Sequence, residues 1–333
     1  MSGLLVVGGA NLDQVARAPR LPGRGETILA TGYHESPGGK AANLASAAAA
    51  WGAPVRFVGR VGEDGFGDVL LEAWREAGVD VRHVRRDPAG TGLGIVFMDD
   101  AGQYQTIVVP RANARLAARD VAELPADAWD GVAVVALALE APAEATLAAA
   151  RAAAERGLPL VLNAAPAEGM TADLWPFVTH LIVNEHEAAL LSGRAVSDRE
   201  GAIAAGTALV DRLAAGRAAA VVVTLGAEGA VLLAAGVAPA HVPAPVVAAR
   251  DTLGAGDTFV GVFAAEVAAG RPLARAAARA CVAGAIAVTV AGARAAVRPA
   301  DLETLAASDP VARAAASSAP DRAAPTPSLG GRA

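Results

Sequence analysis

From Val132 onward, short apolar runs alternate with longer alanine-rich stretches. Val132–Leu139 precedes Ala143–Arg156; Leu160–Leu162 and Leu181–Val183 come next, then Asp198–Ala215 and Ala220–Thr224. Short unbroken runs of Val and Leu read as strands buried on both faces, and the longer stretches read as helices. Strands that alternate with helices predict a parallel sheet covered by helices on both sides. Leu4-Leu5-Val6-Val7, ending in Gly8-Gly9, reads as the first of these strands, and Val55–Val58 with Gly65–Ala77 adds another strand and helix. The fold class predicted is a three-layer α/β/α sandwich around a mostly parallel central sheet.

Three segments break the rhythm. Thr27–Tyr33, Gly92–Met98 and Tyr104–Val109 alternate with period two, as antiparallel strands do. They predict a small sheet over residues 27–34 and 92–109, standing off the body as a lid. From about residue 306 to 333 the chain is mostly Ala, Ser, Pro and Gly with scattered charge, which reads as a disordered tail. Residues 1–305 are thus expected to form one folded domain.

Charge and cysteine content narrow the function classes. The net charge is −6, which argues against nucleic acid or an anionic membrane as the main partner. The one cysteine, Cys281, excludes an internal disulfide and fits a reducing cytoplasm; in its apolar helical setting it reads as a small buried residue. Met1–Gly9 lacks a basic leader, and the longest apolar stretch, Ala280–Ala293, is too short and too rich in Gly and Ala to span a bilayer.

The candidate chemistry gathers where strands end and helices begin. Asp251-Thr252-Leu253-Gly254-Ala255-Gly256-Asp257-Thr258-Phe259 places small residues in a tight turn just before the apolar helical segment Phe259–Ala269. Such a turn presents free backbone N–H groups at the positive end of a helix, a setting for phosphate. A carboxylate beside a bound phosphate is repelled by it, so Asp257 points to a catalytic base; an ordinary acidic helix start has the same pattern. Pro37-Gly38-Gly39-Lys40-Ala41-Ala42-Asn43 also opens a helix, with Lys40 and Asn43 on one face. It is not a nucleotide P-loop, because Ala follows Lys40. Asn11, Asp13, Glu140, Asn184 with Glu187, and Thr224 with Gly226 all follow strand ends, the edge of an open α/β sheet where ligands bind.

Together these residues resemble the ribokinase-like (PfkB) family of carbohydrate kinases over roughly residues 3–305. The resemblance rests on Gly38-Gly39-Lys40-Ala41-Ala42-Asn43 and on Asp251–Phe259, the second being highly specific. It implies an ATP-dependent transfer of the γ-phosphoryl group to a primary sugar hydroxyl, with D-ribose the first candidate. In that comparison Asp257 is the base, and the backbone of Gly254, Ala255 and Gly256 is the anion hole. Asn11, Asp13, Gly39, Lys40, Asn43 and Glu140, with Asp257, match sugar-binding positions. Asn184 and Glu187 match positions that hold Mg²⁺ and phosphate through water; Thr224, Gly226 and Gly229 match nucleotide-binding positions. Asp251 and Thr252, with Val290, Gly292 and Ala296 of the loop Val290–Ala296, match a monovalent-cation site that usually takes K⁺. The family often forms homodimers through the lid, and that state is expected here.

Two departures stand out. Ribokinases usually carry Ser where this chain has Ala296, so one hydroxyl ligand for the cation is missing. Their usual Pro-Gly-Ala-Asn after the lid is Pro110-Arg111-Ala112-Asn113 here. A kinase of the same fold acting on another sugar or a nucleoside stays open; for a base, Tyr104 and Phe97 could form the platform. A silent sugar- or nucleotide-binding protein is a further alternative, against which the intact Asp257 and Gly-Ala-Gly turn argue.

Overall fold

In the first strand, β1 (Gly3–Val7), Leu4 and Val6 join one core while Leu5 and Val7 join another. Side chains of a strand alternate faces, so this strand must be covered on both sides. A computed structural model describes residues 2–100, 103–213, 219–290, 292 and 295–317. After β1 come β2 (Asn11–Ala18), β3 (Gly32–Gly38), α1 (Lys40–Ala50), β4 (Val55–Gly62), α2 (Gly65–Glu76) and β5 (Val79–Asp87). β6 (Gly92–Asp99), β7 (Tyr104–Val109), α3 (Ala118–Ala122), β8 (Val132–Ala138), α4 (Ala143–Glu155) and β9 (Leu160–Asn163) follow. Then come β10 (His180–Asn184), α5 (Glu185–Ser192), α6 (Arg199–Val210), β11 (Ala220–Thr224), β12 (Ala230–Ala234) and β13 (Val237–Val242). The chain closes with α7 (Ala255–Ala268), α8 (Leu273–Ala287), α9 (Pro299–Ala306) and α10 (Pro310–Ala316).

Nine strands form one sheet in the order β13-β12-β11-β10-β9-β8-β1-β4-β5. Every neighbouring pair is parallel except those made by β12. Helices α1, α2, α7 and α8 supply the core on one face; α4, α5 and α6 supply it on the other. The three-layer sandwich is therefore present. The second sheet is β3-β2-β6-β7, with β2 and β6 parallel and the outer pairs antiparallel.

Three expectations need correcting. The first lid strand is Gly32–Gly38 rather than 27–34, and Thr27–Ala30 lies outside any strand. Asn11 and Asp13, read as following the end of β1 at the edge of the main sheet, instead begin β2, an additional strand of the small sheet. Order also extends beyond residue 305. Asp309 caps α10 by accepting from the Ala312 amide, and Ala312 and Ala315 bury one side of that short helix against the body. Three-residue spacing gave that low-complexity stretch one apolar stripe. Residues 318–333 of the expected tail lie outside the described residues. Cys281 is buried in α8, where desolvation pushes its thiol up to about 12, as expected of a packing residue. Among the described residues no helix is long and apolar enough to cross a membrane.

Candidate active site

A cleft of about 900 Å³ opens between the carboxyl ends of the central strands and the small sheet. Its lining includes Asn11, Asp13, Gly39, Lys40, Asn43, Glu140, Asn184, Asp251, Thr252, Gly254, Gly256 and Asp257. These residues come from segments far apart in the chain, and the fold assembles them.

Asp13 sits on β2 between two glycines of the flanking strands. A Cβ on Gly38 would stand 2.0 Å from Asp13 Oδ2, and one on Gly94 would stand 2.1 Å from Oδ1. Both neighbours must therefore be bare for the carboxylate to lie where it does. Gly39 caps α1 at φ 94°, with Ala10 Cα only 2.9 Å from where its Cβ would be. That turn delivers Lys40 and Asn43 into the cleft. The Lys40 amide donates to Glu140 Oε2 (2.7 Å), and Asn43 Nδ2 donates to Asp257 Oδ2 (2.9 Å). Oδ1 of Asn43 is buried with no partner among the described residues.

Asp257 lies in the first turn of α7, buried to 8% exposure. Gly254 caps that helix at φ 75°, a conformation open to glycine but strained for other residues. A Cβ on Gly256 would meet nothing within 4 Å. The first amides of a helix have no carbonyl partner inside it, and here they border the cleft.

One ammonium stands among four carboxylates. Burial raises Asp257, with Lys40 and Asn43 pulling it back. Burial also raises Glu140 and Glu187. Asp13 is lifted to about 7 by burial, then by Glu140 and Asp257, with Lys40 opposing. Burial alone would lower Lys40, but Asp257, Glu140 and Glu187 outweigh it and raise it overall. The cleft is thus preorganised around an ammonium at neutral pH.

Of the other expected residues, Asn184 and Asp251 line the cleft, while Glu187, Thr224, Gly226 and Gly229 lie outside the lining. Asn184 and Glu187 cap α5 reciprocally: the Asn184 amide donates to Glu187 Oε2 (2.9 Å) and the Glu187 amide to Asn184 Oδ1 (2.8 Å). Thr224 pairs with Asn184 across β10 and β11. Gly226 and Gly229 turn the chain into β12, both at positive φ. Asp251 accepts the amides of Leu253 (3.0 Å) and Gly292 (2.9 Å) through its two oxygens. Val290 and Ala296 are exposed and off the lining.

Sequence reasoning named Tyr104 as a possible platform but missed Arg17 and Met98 beside it. Arg17, Met98 and Tyr104 form one cross-strand row on β2, β6 and β7, and all three line the cleft. Phe97, one residue from Met98, is absent from the lining, as strand alternation requires. Asn113 was noted only for its motif. It accepts from the Ala10 amide and donates to Ala10 O and Asn11 Oδ1, fixing the start of β2. No alternation marked this strand: Asn11–Ala18 runs polar, apolar, polar, polar, apolar, apolar, polar, apolar.

The structure is thus a three-layer α/β body with a second sheet roofing a polar cleft. Residues 1–300 match the pfkB family of carbohydrate kinases, and the chain belongs to that family. It is 32% identical over 280 residues to a ribokinase of Schizosaccharomyces pombe, covering 82% of this chain and 87% of that one. It is 35% identical over 268 residues to the ribokinase of Mus musculus, covering 78% and 80%. The Arabidopsis thaliana ribokinase, solved in complex with ribose and ATP, superposes with a TM-score of 0.79 at 30% identity, over 90% of this chain and 96% of that one. The chain is a ribokinase-like carbohydrate kinase.

Proposed function

We propose that this enzyme transfers the γ-phosphoryl group of ATP to the primary hydroxyl of a pentose, D-ribose before others, giving ribose 5-phosphate. The observation that carries this reading is a buried carboxylate, Asp257, in the first turn of a helix whose Gly254 and Gly256 line a polar cleft. The ribokinase relatives, one of them complexed with ribose and ATP, support the choice of substrates.

In this mechanism Asp257 takes the hydroxyl proton as the sugar oxygen attacks the γ-phosphorus and ADP departs. Burial strengthens it as a base. Charge that builds on the transferring group faces the amides of Gly254, Ala255 and Gly256, already oriented by the turn. Asn11, Asp13, Gly39, Lys40, Asn43 and Glu140 hold the sugar, and the unpartnered Asn43 Oδ1 accepts one of its hydroxyls. Thr224, Gly226 and Gly229 border the nucleotide.

Magnesium fits Glu187: one carboxylate oxygen is used in capping, and burial of the group favours a nearby cation. Glu187 with Asn184 would hold it through water, and the ion would neutralise phosphate charge. Potassium fits less well, because both Asp251 oxygens already accept amides and Ala296 offers no hydroxyl. No step is assigned to it.

A sugar panel with ATP and Mg²⁺ in an ADP-release assay tests the proposal. Turnover on ribose above fructose and adenosine is expected; no turnover on any sugar or nucleoside overturns it. Tyr104 in the cleft wall supports the second reading, a nucleoside substrate stacked on that ring, and preference for adenosine in the same panel would establish it. We also propose a homodimer through the small sheet, whose Tyr33, Tyr104, Ile107 and Val108 are more than half exposed. A monomer at micromolar concentration in sedimentation would contradict this.

A further inference from the structure

The two helices that bring Asn43 and Asp257 together are fastened a second time, far from the cleft. Trp51, at the end of α1, donates its indole Nε1–H to Oε1 of Glu266 on α7 over 2.8 Å. The same oxygen accepts from Nη1 of Arg279 on α8, also at 2.8 Å, and that guanidinium lies 5.8 Å from the centre of the Trp51 ring. Trp51 and Glu266 are both buried.

Between the two fastenings the helix backbones touch. A Cβ on Gly261 would stand 2.4 Å from the Leu44 carbonyl oxygen and 2.8 Å from Ala47 Cβ. With a rise of about 1.5 Å per residue, Trp51 lies about 12 Å along α1 from Asn43, and Glu266 about 13 Å along α7 from Asp257. The helices run side by side from the cleft, joined by one hydrogen bond at each end with Gly261 between.

A carboxylate is an expensive way to fill such a seam. Desolvating it costs stability that a leucine would not lose. The other oxygen, Oε2, is buried and has no partner among the described residues, so that cost is not fully offset. What the carboxylate supplies is direction: a hydrogen bond to the indole that fixes one helix along the other.

We propose that Glu266 and Trp51 are positioning residues that set the register of α1 against α7, and thereby the placement of Asn43 on Asp257. The inference rests on the kinase reading of the cleft. A shift of a few tenths of an ångström at the far end carries along a rigid helix. It stretches a 2.9 Å bond toward the limit beyond which a hydrogen bond weakens.

Trp51→Phe tests this, because it keeps the ring and removes only the N–H donor. The turnover number on ribose is expected to fall roughly 3- to 10-fold, as loss of alignment does. The acid limb of the pH–rate profile should move upward, because the Asn43 hydrogen bond is one of the contacts that lower Asp257. In an Asn43→Ala background the same substitution should change neither quantity. Glu266→Gln keeps an acceptor for the indole and should behave like wild type, whereas Glu266→Leu should behave like Trp51→Phe. If Trp51→Phe lowers only the melting temperature, or if its effect persists undiminished without Asn43, the inference is overturned. The Glu266 pair decides alone should Trp51→Phe not fold: equal activity of the Gln and Leu variants overturns it. A wild-type protein inactive on every sugar would instead overturn the kinase reading, and this inference with it.

Discussion

Asn43 and Asp257 stand 214 positions apart in the chain and share a buried hydrogen bond of 2.9 Å. The amide sits on the helix that begins with the glycine turn, and the carboxylate on the helix that begins with the second one. The bond engages Asp257 through Oδ2 and leaves Oδ1 outside it.

Asp257→Asn retains an oxygen that can accept from Asn43 but cannot take a proton. Its turnover number is expected to fall by about 10²- to 10⁴-fold, the usual contribution of a general base. Ribose affinity by calorimetry should stay within a few-fold. An equal loss in affinity and rate would assign Asp257 to binding alone.

Gly94→Ala places a methyl group 2.1 Å from an Asp13 oxygen. The carboxylate is the mobile end of its side chain and can swing away, so the fold survives while the contact moves. KM for ribose is expected to rise about tenfold, near the value of one hydrogen bond, with kcat changed less. Steady-state kinetics with a melting control measures it; an unchanged KM would place the sugar away from Asp13.

Asp13, lifted to about 7, holds its proton more tightly folded than unfolded. The stability it contributes is complete below the unfolded value near 4 and is lost as pH rises through 7. Asp13→Asn mimics the protonated form. Its melting temperature without ligand should match wild type near pH 4 and exceed it by a few degrees at pH 8. A gap that is the same at both pH values would show that titration of Asp13 is not the cause.

Arg111 has φ 44°, and it is the one non-glycine residue with positive φ among the described residues. A Cβ in that region costs roughly 1–2 kcal/mol. Arg111→Gly removes that cost, offset by the larger entropy of glycine in the unfolded chain, for a net gain of about 0.5–1 kcal/mol. Arg111→Ala keeps the Cβ and should gain nothing. Chemical denaturation of the two variants separates strain from loss of the side chain, and an Ala variant as stable as the Gly variant would discount strain.

The body of the fold was legible because its strands are continuous apolar runs bounded by turn residues. Val132–Ala138 and Ala220–Thr224 needed no tertiary information. The small sheet was harder to read. Asn11–Ala18 mixes polar and apolar residues after a glycine pair, and its polar members look like turn formers until β3 and β6 supply their partners. The clustered site positions came from two motifs and the rule for strand ends. The Trp51–Glu266 contact left no local trace, since it depends on how α1 crosses α7. Arg17 and Met98 were likewise hidden, because only strand register puts them in the same row as Tyr104.

Only Gly8, Gly9 and Ala10 separate β1 from β2. Asp13 therefore belongs to the roof while Asp257 belongs to the floor. Under the proposed function, substitutions on β6 and β7 would retune which molecule is admitted without moving α7. Such a layout lets one reaction be inherited intact while its clientele diverges.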